Sequence, residues 1–120
     1  MQFNNHYDNV QAYITKDGSE IRELMHPQQH ACRNQSLAEA RVPAGGETLL
    51  HRHELSEEIY YILSGNGTMQ LGDERFTVSA GDVICIAPST PHNIRNDGEQ
   101  ALVLLCCCAP AYSHDDTYLC

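Results

Sequence analysis

The sequence predicts an all-β domain, either a sandwich or a barrel, and three observations support this prediction. Short segments rich in β-branched and aromatic residues follow one another through most of the chain. Turn sequences containing Gly, Asn, Asp or Pro separate them about every eight to twelve residues, a spacing typical of sandwiches and barrels. The chain has 120 residues, 42% hydrophobic and 19% charged, which is the size and composition of one globular domain.

We expect a single structural domain with three parts. Residues 1–35 would form an N-terminal extension, residues 36–109 the β-barrel, and residues 110–120 a C-terminal tail. The extension is expected to contain a strand within Val10–Ile14 and one short helix. No low-complexity tract or linker to a second domain interrupts the chain.

The predicted N-terminal helix covers Glu20–His26. Ser19 precedes it and is a residue type that caps helix N-termini. Ile21 and Leu24 would share one side of the helix, and Pro27 would end it because proline lacks the backbone N–H.

Several strands are expected in the barrel region. Ile59–Leu63 carries bulky apolar residues on both faces, so both of its sides are expected to be covered. Near the metal-binding candidates described below, Glu47–His53 is expected to be extended. The other predicted strands are Ser36–Val42, Thr68–Leu71, Arg75–Val78, Val83–Ile86 and Ala101–Cys108.

Composition also bears on partners and location. The formal net charge is −9 and no Lys/Arg cluster stands out, so neither nucleic acid nor an anionic membrane is an expected partner. The first ten residues lack the apolar core of a secretory signal, and no apolar run reaches transmembrane length. We therefore expect a cytoplasmic protein.

Six cysteines are present, and reduced thiols are expected in a chain of this size without a secretory signal. The consecutive Cys106–Cys108 are interpreted as part of a buried strand, in which only Cys106 and Cys108 would share a face. Cys85 is expected to be a core thiol, and Cys120 to lie in the tail.

The strongest functional signal is a set of three histidines and one glutamate. His51 and His53 are two positions apart, so on a strand their imidazoles point to the same side. Glu58 follows across a short loop, and His92 would come from a later strand. If these side chains converge, they form a four-ligand metal site inside a β-barrel.

The spacing of these residues resembles the two sequence motifs of the cupin superfamily. The first motif matches at every position: five residues separate the initial glycine from His-x-His, four lead to the glutamate, and six lead to the final glycine. The second motif begins at Gly81 and keeps its histidine and asparagine in register. The matching residues are Gly45, His51, His53, Glu58, Gly65, Gly81, His92 and Asn96.

Two positions of the second motif depart from the family pattern. Ala87 stands where proline is usual, and Ser89 replaces the usual glycine. Both fall in the loop ahead of His92, and neither is a metal-ligand position.

The resemblance implies a fold and a cofactor. The fold would be a double-stranded β-helix, the cupin or jelly-roll barrel. The cofactor would be a divalent transition metal held by His51, His53, Glu58 and His92. Three imidazoles and one carboxylate suit Fe, Mn, Ni, Cu or Zn. Small cupins commonly pair, so a homodimer is also expected.

Two classes of function are compatible with this resemblance. The first is a metal-dependent enzyme acting on a small-molecule substrate, by oxygenase-type (dioxygenase) chemistry or by Lewis-acid isomerase or lyase chemistry. The second is a non-catalytic module that binds a small molecule or sugar. A purely structural metal is a third reading, disfavoured because a barrel of this length has enough core without it.

Other glutamate, tyrosine and histidine residues fit the ligand positions less well. Glu57 also follows the second histidine at an allowed distance, but the six residues before Gly65 select Glu58. Tyr60 shares the strand face of Glu58 and is expected to pack inside. The remaining histidines are expected to be surface residues: His6, His26, His30 and His114.

Overall fold

The computed structural model describes residues 2–120 and consists of two antiparallel β-sheets with hardly any helix. The all-β prediction is confirmed. Among the described residues the helical segments are 3-10 turns at Tyr7–Asn9 and His114–Asp116. The strands are β1 (Tyr13–Ile14), β2 (Glu20–Met25), β3 (Ser36–Val42), β4 (His51–His53), β5 (Glu57–Ser64), β6 (Asn66–Leu71), β7 (Glu74–Ser79), β8 (Val83–Ile86), β9 (His92–Asn96), β10 (Leu102–Ala109) and β11 (Thr117–Leu119).

The sheets join strands that are far apart in sequence. One sheet has six strands in the order β1-β2-β3-β10-β5-β8, and the other has five in the order β11-β4-β9-β6-β7. In the larger sheet, β10 lies between β3 and β5 and pairs with both along its length. The core lies between the two sheets, and its most deeply buried members are Ile62, Met69, Leu102, Leu104 and Ile86.

Strand β5 shows how the alternation of side chains builds the site. Glu58, Tyr60 and Ile62 are buried, whereas the outward-facing Ile59 and Tyr61 remain 42% and 43% exposed. The inner face of β5 therefore carries a carboxylate into the barrel. The cover expected over its outer face is not provided by this chain itself.

The predicted helix over Glu20–His26 is wrong. These residues form β2, which pairs with β3 so that Ile21 lies opposite Ala40 and enters the core. The Ser19 hydroxyl does not cap a helix but donates to the carboxylate of Asp17. A local capping signal of about 1 kcal/mol is outweighed by a full ladder of backbone hydrogen bonds and the burial of Ile21.

Several strands also differ in their boundaries from those predicted from the sequence. The segment expected to be a C-terminal tail contributes β11, which pairs with β4. Strand formation in Glu47–His53 is limited to His51–His53, and the strand expected in Val10–Ile14 is only Tyr13–Ile14. None of the helical turns in the described residues is long and apolar enough to cross a membrane.

The motif glycines have a conformational reason. Gly45, Gly65 and Gly81 have φ values of +75°, +90° and +96°, a left-handed backbone that side chains rarely adopt. Ser89, which replaces the usual glycine in the second motif, has φ +66°. The loop ahead of His92 thus keeps the left-handed turn, although a residue with a Cβ now occupies it.

Replacing Ser89 with glycine should therefore stabilise the fold. Removing the Cβ relieves a left-handed penalty of about 1–2 kcal/mol, partly offset by the greater entropy of glycine in the unfolded chain. We expect a net gain of about 0.5–1 kcal/mol in the free energy of unfolding, measured by chemical denaturation. The control is Ser79→Gly in β7, which should lose about as much. A loss of stability in Ser89→Gly would contradict this assignment.

Candidate metal centre

The predicted site residues come from three strands. His51 and His53 lie on β4, Glu58 on the inner face of β5, and His92 at the start of β9. His51 and His92 are direct partners in the β4–β9 pair, whereas Glu58 reaches the histidines from the other sheet. All of these side chains are buried.

The side chains converge on one point. One ring nitrogen from each of the three histidines lies within 4.8 Å of the others. The Oε1 atom of Glu58 lies 3.3 Å from His53 Nε2 and 3.4 Å from His92 Nε2. The three histidines and the carboxylate chosen from the sequence are thus brought together inside the barrel.

Hydrogen bonds at Nδ1 fix how each imidazole presents itself. The Nδ1 atoms of His51 and His92 each lie 2.8 Å from a backbone carbonyl, those of Leu49 and Thr90. A carbonyl can only accept, so Nδ1 carries the proton in both rings. The Nε2 atoms of these rings therefore hold lone pairs that point into the site.

His53 is held in the same tautomer by a side chain. Its Nδ1 lies 3.1 Å from the hydroxyl oxygen of Thr117, and that hydroxyl donates its own proton to the carbonyl of Ser113. The Thr117 oxygen is left as an acceptor, so His53 Nδ1 donates to it. Outer hydrogen bonds of this kind are typical of histidines that bind metal through the opposite nitrogen.

The consequence is a cluster of acceptors with no donor among them. Glu58 Oε1 and His92 Nε2 are buried and have no hydrogen-bond partner among the described residues, although they lie next to each other. Two lone pairs at this distance repel, and unpaired buried polar atoms cost about 1–3 kcal/mol each. A cation between them would remove both penalties, so these residues fit a divalent metal.

The site also perturbs ionisation. Burial raises the pKa of Glu58, but hydrogen bonds and positive charge from the imidazoles of His53 and His92 lower it to about 2 whenever those rings carry a proton on Nε2, and a bound cation would supply the same positive charge. Burial and the nearby charge of His92 lower the pKa of His51 below its usual value. Glu58 therefore stays ionised and His51 stays neutral at neutral pH, which are the forms that bind metals.

Thiols lie on the glutamate side of the site. Cys106 and Cys108 both line the cavity, as expected from their shared strand face, and Cys108 Sγ lies 3.3 Å from Glu58 Oε2. Burial raises the pKa of both thiols, followed by the negative charge of Glu58. They are therefore protonated, and Cys108 donates to the oxygen of Glu58 that faces away from the histidines.

The cavity at the site is small and carries no cationic side chain. Its volume is about 40 Å³. Neither lysine nor arginine lines it, whereas three carboxylates do, those of Asp17, Glu23 and Glu58. Tyr60 is buried in its wall, as expected. Glu57 is exposed, which agrees with the choice of Glu58.

Asp17 was not identified as a site residue from the sequence. Its Oδ2 atom lies 3.5 Å from His51 Nε2. Asp17 lies 34 positions from His51, and no spacing rule links them. Its approach depends on how β1 and β2 extend the larger sheet.

Other expectations about isolated residues are corrected. His30 is buried rather than exposed, and its Nδ1 accepts a hydrogen bond from the backbone N–H of His26. Cys85 is exposed on the outer face of β8 rather than part of the core. His6 and His114 are exposed, as expected.

Comparison with known proteins identifies sequence relatives. A family model described as "Cupin domain" matches residues 38–108. An uncharacterized protein of Methanocaldococcus jannaschii is 59% identical over 111 residues, covering 92% of this chain and 89% of that protein. An oxalate-binding protein of Thermotoga maritima is 36% identical over 69 residues, or 58% of this chain and 57% of that protein.

Solved structures share the fold. Pac13 of Streptomyces, described as a nucleoside dehydratase, superposes with a TM-score of 0.79 at 18% identity, covering 100% of this chain and 92% of that one. A Thermotoga maritima protein described as a predicted oxalate decarboxylase gives 0.78 at 24% identity, covering 88% and 97%. With the family match over more than half of the sequence, the chain belongs to the cupin domain family.

Proposed function

We propose that this protein is a metal-dependent enzyme acting on a small organic substrate. A divalent transition metal (Fe, Mn, Ni, Cu or Zn) would be held by His51, His53, Glu58 and His92. The observation that carries the proposal is the convergence of three unprotonated imidazole nitrogens and a partnerless carboxylate oxygen in a buried cavity.

Lewis-acid isomerase or lyase chemistry suits this cavity better than oxygenase chemistry. When bound, the metal would polarise a carbonyl, carboxylate or hydroxyl oxygen of the substrate. Pac13 is described as a dehydratase, which is a lyase activity of the same fold.

The chain's own residues would prepare the reaction in three ways. The backbone carbonyls of Leu49 and Thr90 hold two imidazoles in the binding tautomer. Cys108 fixes the outer oxygen of Glu58. The walls of the small cavity, which include Tyr60 and Leu104, limit the number of water molecules beside the ligands.

A second candidate function is a non-catalytic module that binds a small molecule. The observation in its favour is the relative from Thermotoga maritima, which is described as an oxalate-binding protein. The two functions are separated by loading the protein with each metal and offering small hydroxy acids, keto acids and sugar derivatives. Turnover supports the enzyme, whereas saturable binding without turnover supports the module.

The location and the redox state also belong to the proposal. The six cysteines are free in the structure, and two of them lie in the cavity. Free thiols persist in a reducing compartment, so we propose a cytoplasmic protein.

We further propose a homodimer formed through the outer faces of β5 and β8. In the single chain Ile59, Tyr61, Leu63 and Val83 are all at least 42% exposed. With a net charge of −9, two copies repel each other at most surfaces, but this uncharged patch would bring them together without pairing carboxylates.

Removing one imidazole should abolish metal binding. His51→Ala removes a nitrogen atom that binds the metal directly. We therefore expect the dissociation constant for Mn(II) or Zn(II), measured by competition with a chelator, to rise by more than about 100-fold. The matched control is His6→Ala, an exposed histidine whose side chain contacts Asp8 and does not line the cavity, which should bind as the wild type does. Equal affinity in the His51 variant would refute the proposed site.

Acidification should release the metal, because the imidazoles that bind it become protonated. The pKa of His51 is lowered, so its imidazole stays neutral somewhat below pH 6.5, while Glu58, with a pKa of about 2, stays ionised throughout. We expect metal release as the pH falls below roughly 6. Bound metal is measured by elemental analysis after desalting at each pH, with circular dichroism to show that the fold persists. Retention at pH 4 would count against histidine ligands.

A charge on the apolar patch should prevent dimerisation. Tyr61→Lys would place an ammonium group in the proposed interface, where burial without a partner is costly. We expect the wild type to be a dimer and this variant a monomer by light scattering. Thr77→Lys, exposed on β7 of the other sheet, is the control and should remain a dimer. A monomeric wild type would remove the proposal.

A further inference from the structure

Asp17 presents a second carboxylate to the site. It lies in the turn between β1 and β2, and its Oδ2 is 3.5 Å from His51 Nε2. This distance is close to the 3.3 Å and 3.4 Å that separate Glu58 Oε1 from the nitrogens of His53 and His92. The side chain of Asp17 is 13% exposed, so it faces the cavity rather than solvent.

The turn holds this carboxylate in one orientation. Asp17 Oδ1 accepts three hydrogen bonds: from Thr15 Oγ1 at 2.6 Å, from Ser19 Oγ at 2.6 Å and from the Ser19 backbone N–H at 2.9 Å. The Asp17 carbonyl accepts from the backbone N–H of Leu49, 2.8 Å away. Because the Leu49 carbonyl in turn accepts from His51 Nδ1, hydrogen bonds connect the turn to the start of β4.

The other oxygen of Asp17 faces an acceptor. His51 carries its proton on Nδ1, so the contact between Nε2 and Oδ2 joins two lone pairs. No donor from the described residues is hydrogen-bonded to this oxygen. The Thr15 and Ser19 hydroxyls and the Ser19 N–H are all spent on Oδ1. A divalent cation between the two atoms would turn this repulsion into attraction.

The spacing agrees with shared coordination. Nitrogen and oxygen ligands lie about 2.1 Å from a transition metal, so neighbouring ligands of a six-coordinate ion are about 3.0 Å apart and opposite ones about 4.2 Å. Asp17 Oδ2 and His51 Nε2 are 3.5 Å apart. A water molecule between them would need a larger gap, because it forms hydrogen bonds of about 2.8 Å to each.

We propose that Asp17 is a fifth protein ligand of the metal. The proposal rests on the metal site of the proposed function and sharpens its chemistry. With five protein ligands, a six-coordinate ion keeps one open position instead of two. One substrate oxygen can bind there, but a substrate and dioxygen cannot bind together. The inference therefore favours a substrate that binds through a single hydroxyl or carbonyl oxygen, in a Lewis-acid reaction.

The test is the number of water molecules on Mn(II) bound to the full-length protein. Water-proton relaxation counts exchangeable waters on Mn(II) without any turnover. We expect one water molecule on Mn(II) in the wild type and two in Asp17→Asn. The dissociation constant for Mn(II) should be 10- to 100-fold larger in the variant than in the wild type. In Asp17→Asn, the side-chain oxygen keeps the hydrogen bond from the Ser19 backbone N–H, because that N–H needs an acceptor. The amide NH₂ then takes the place of Oδ2, and as a donor it cannot bind the metal.

Two further variants separate ligation from structural effects. Glu23→Gln neutralises another carboxylate of the same cavity, one that contacts Tyr13 instead of a site histidine, and should leave one water and an unchanged dissociation constant. Ser19→Ala loosens the turn without touching Oδ2 and should also leave one water. A wild type that binds no Mn(II) would refute the metal site itself. A wild type with two waters, unchanged in Asp17→Asn, would refute only the role of Asp17.

Discussion

The buried carboxylate of Glu58 is the constraint on which the rest of the site depends. An ionised group inside a barrel is tolerated only when opposite charge or donors surround it. Here the groups that surround it on one side are imidazoles whose protons are committed elsewhere, to Leu49, Thr90 and Thr117. The negative charge of Glu58 is therefore not balanced by the neighbouring imidazoles. The apolar core holds the two sheets together, and so keeps this carboxylate buried next to them.

Much of this arrangement is readable from the sequence because it depends on local rules. The alternation of side chains along a strand places His51 and His53 on one side, and the left-handed turns explain the spacing of Gly45, Gly65 and Gly81. Ser89 shows that residue identity in a motif does not fully determine the backbone, since this serine adopts the left-handed conformation usual for glycine. Strand phase likewise selects Glu58 over Glu57.

What the sequence does not predict depends on contacts between distant segments. Glu20–Met25 has a capped, helix-like pattern, yet the free edge of β3 recruits it as a strand. Asp17 and Thr117 reach the site only because β2 and β11 are added to the two sheets. His30 is buried by the N-terminal segment, where Gln2 forms a bridge with it. None of these placements has a signature within a window of neighbouring residues.

The hydrogen bond between His53 and Thr117 spans 64 positions and has a consequence for assembly of the site. All of the proposed metal-binding residues precede Thr117 in the chain, and β5 cannot be flanked on both sides until β10 follows. Until Thr117 is in place, His53 lacks the hydrogen bond that fixes its proton on Nδ1. The site therefore takes its final form only after β11 has paired with β4, so selection of the correct metal depends on a strand that lies 64 positions from His53.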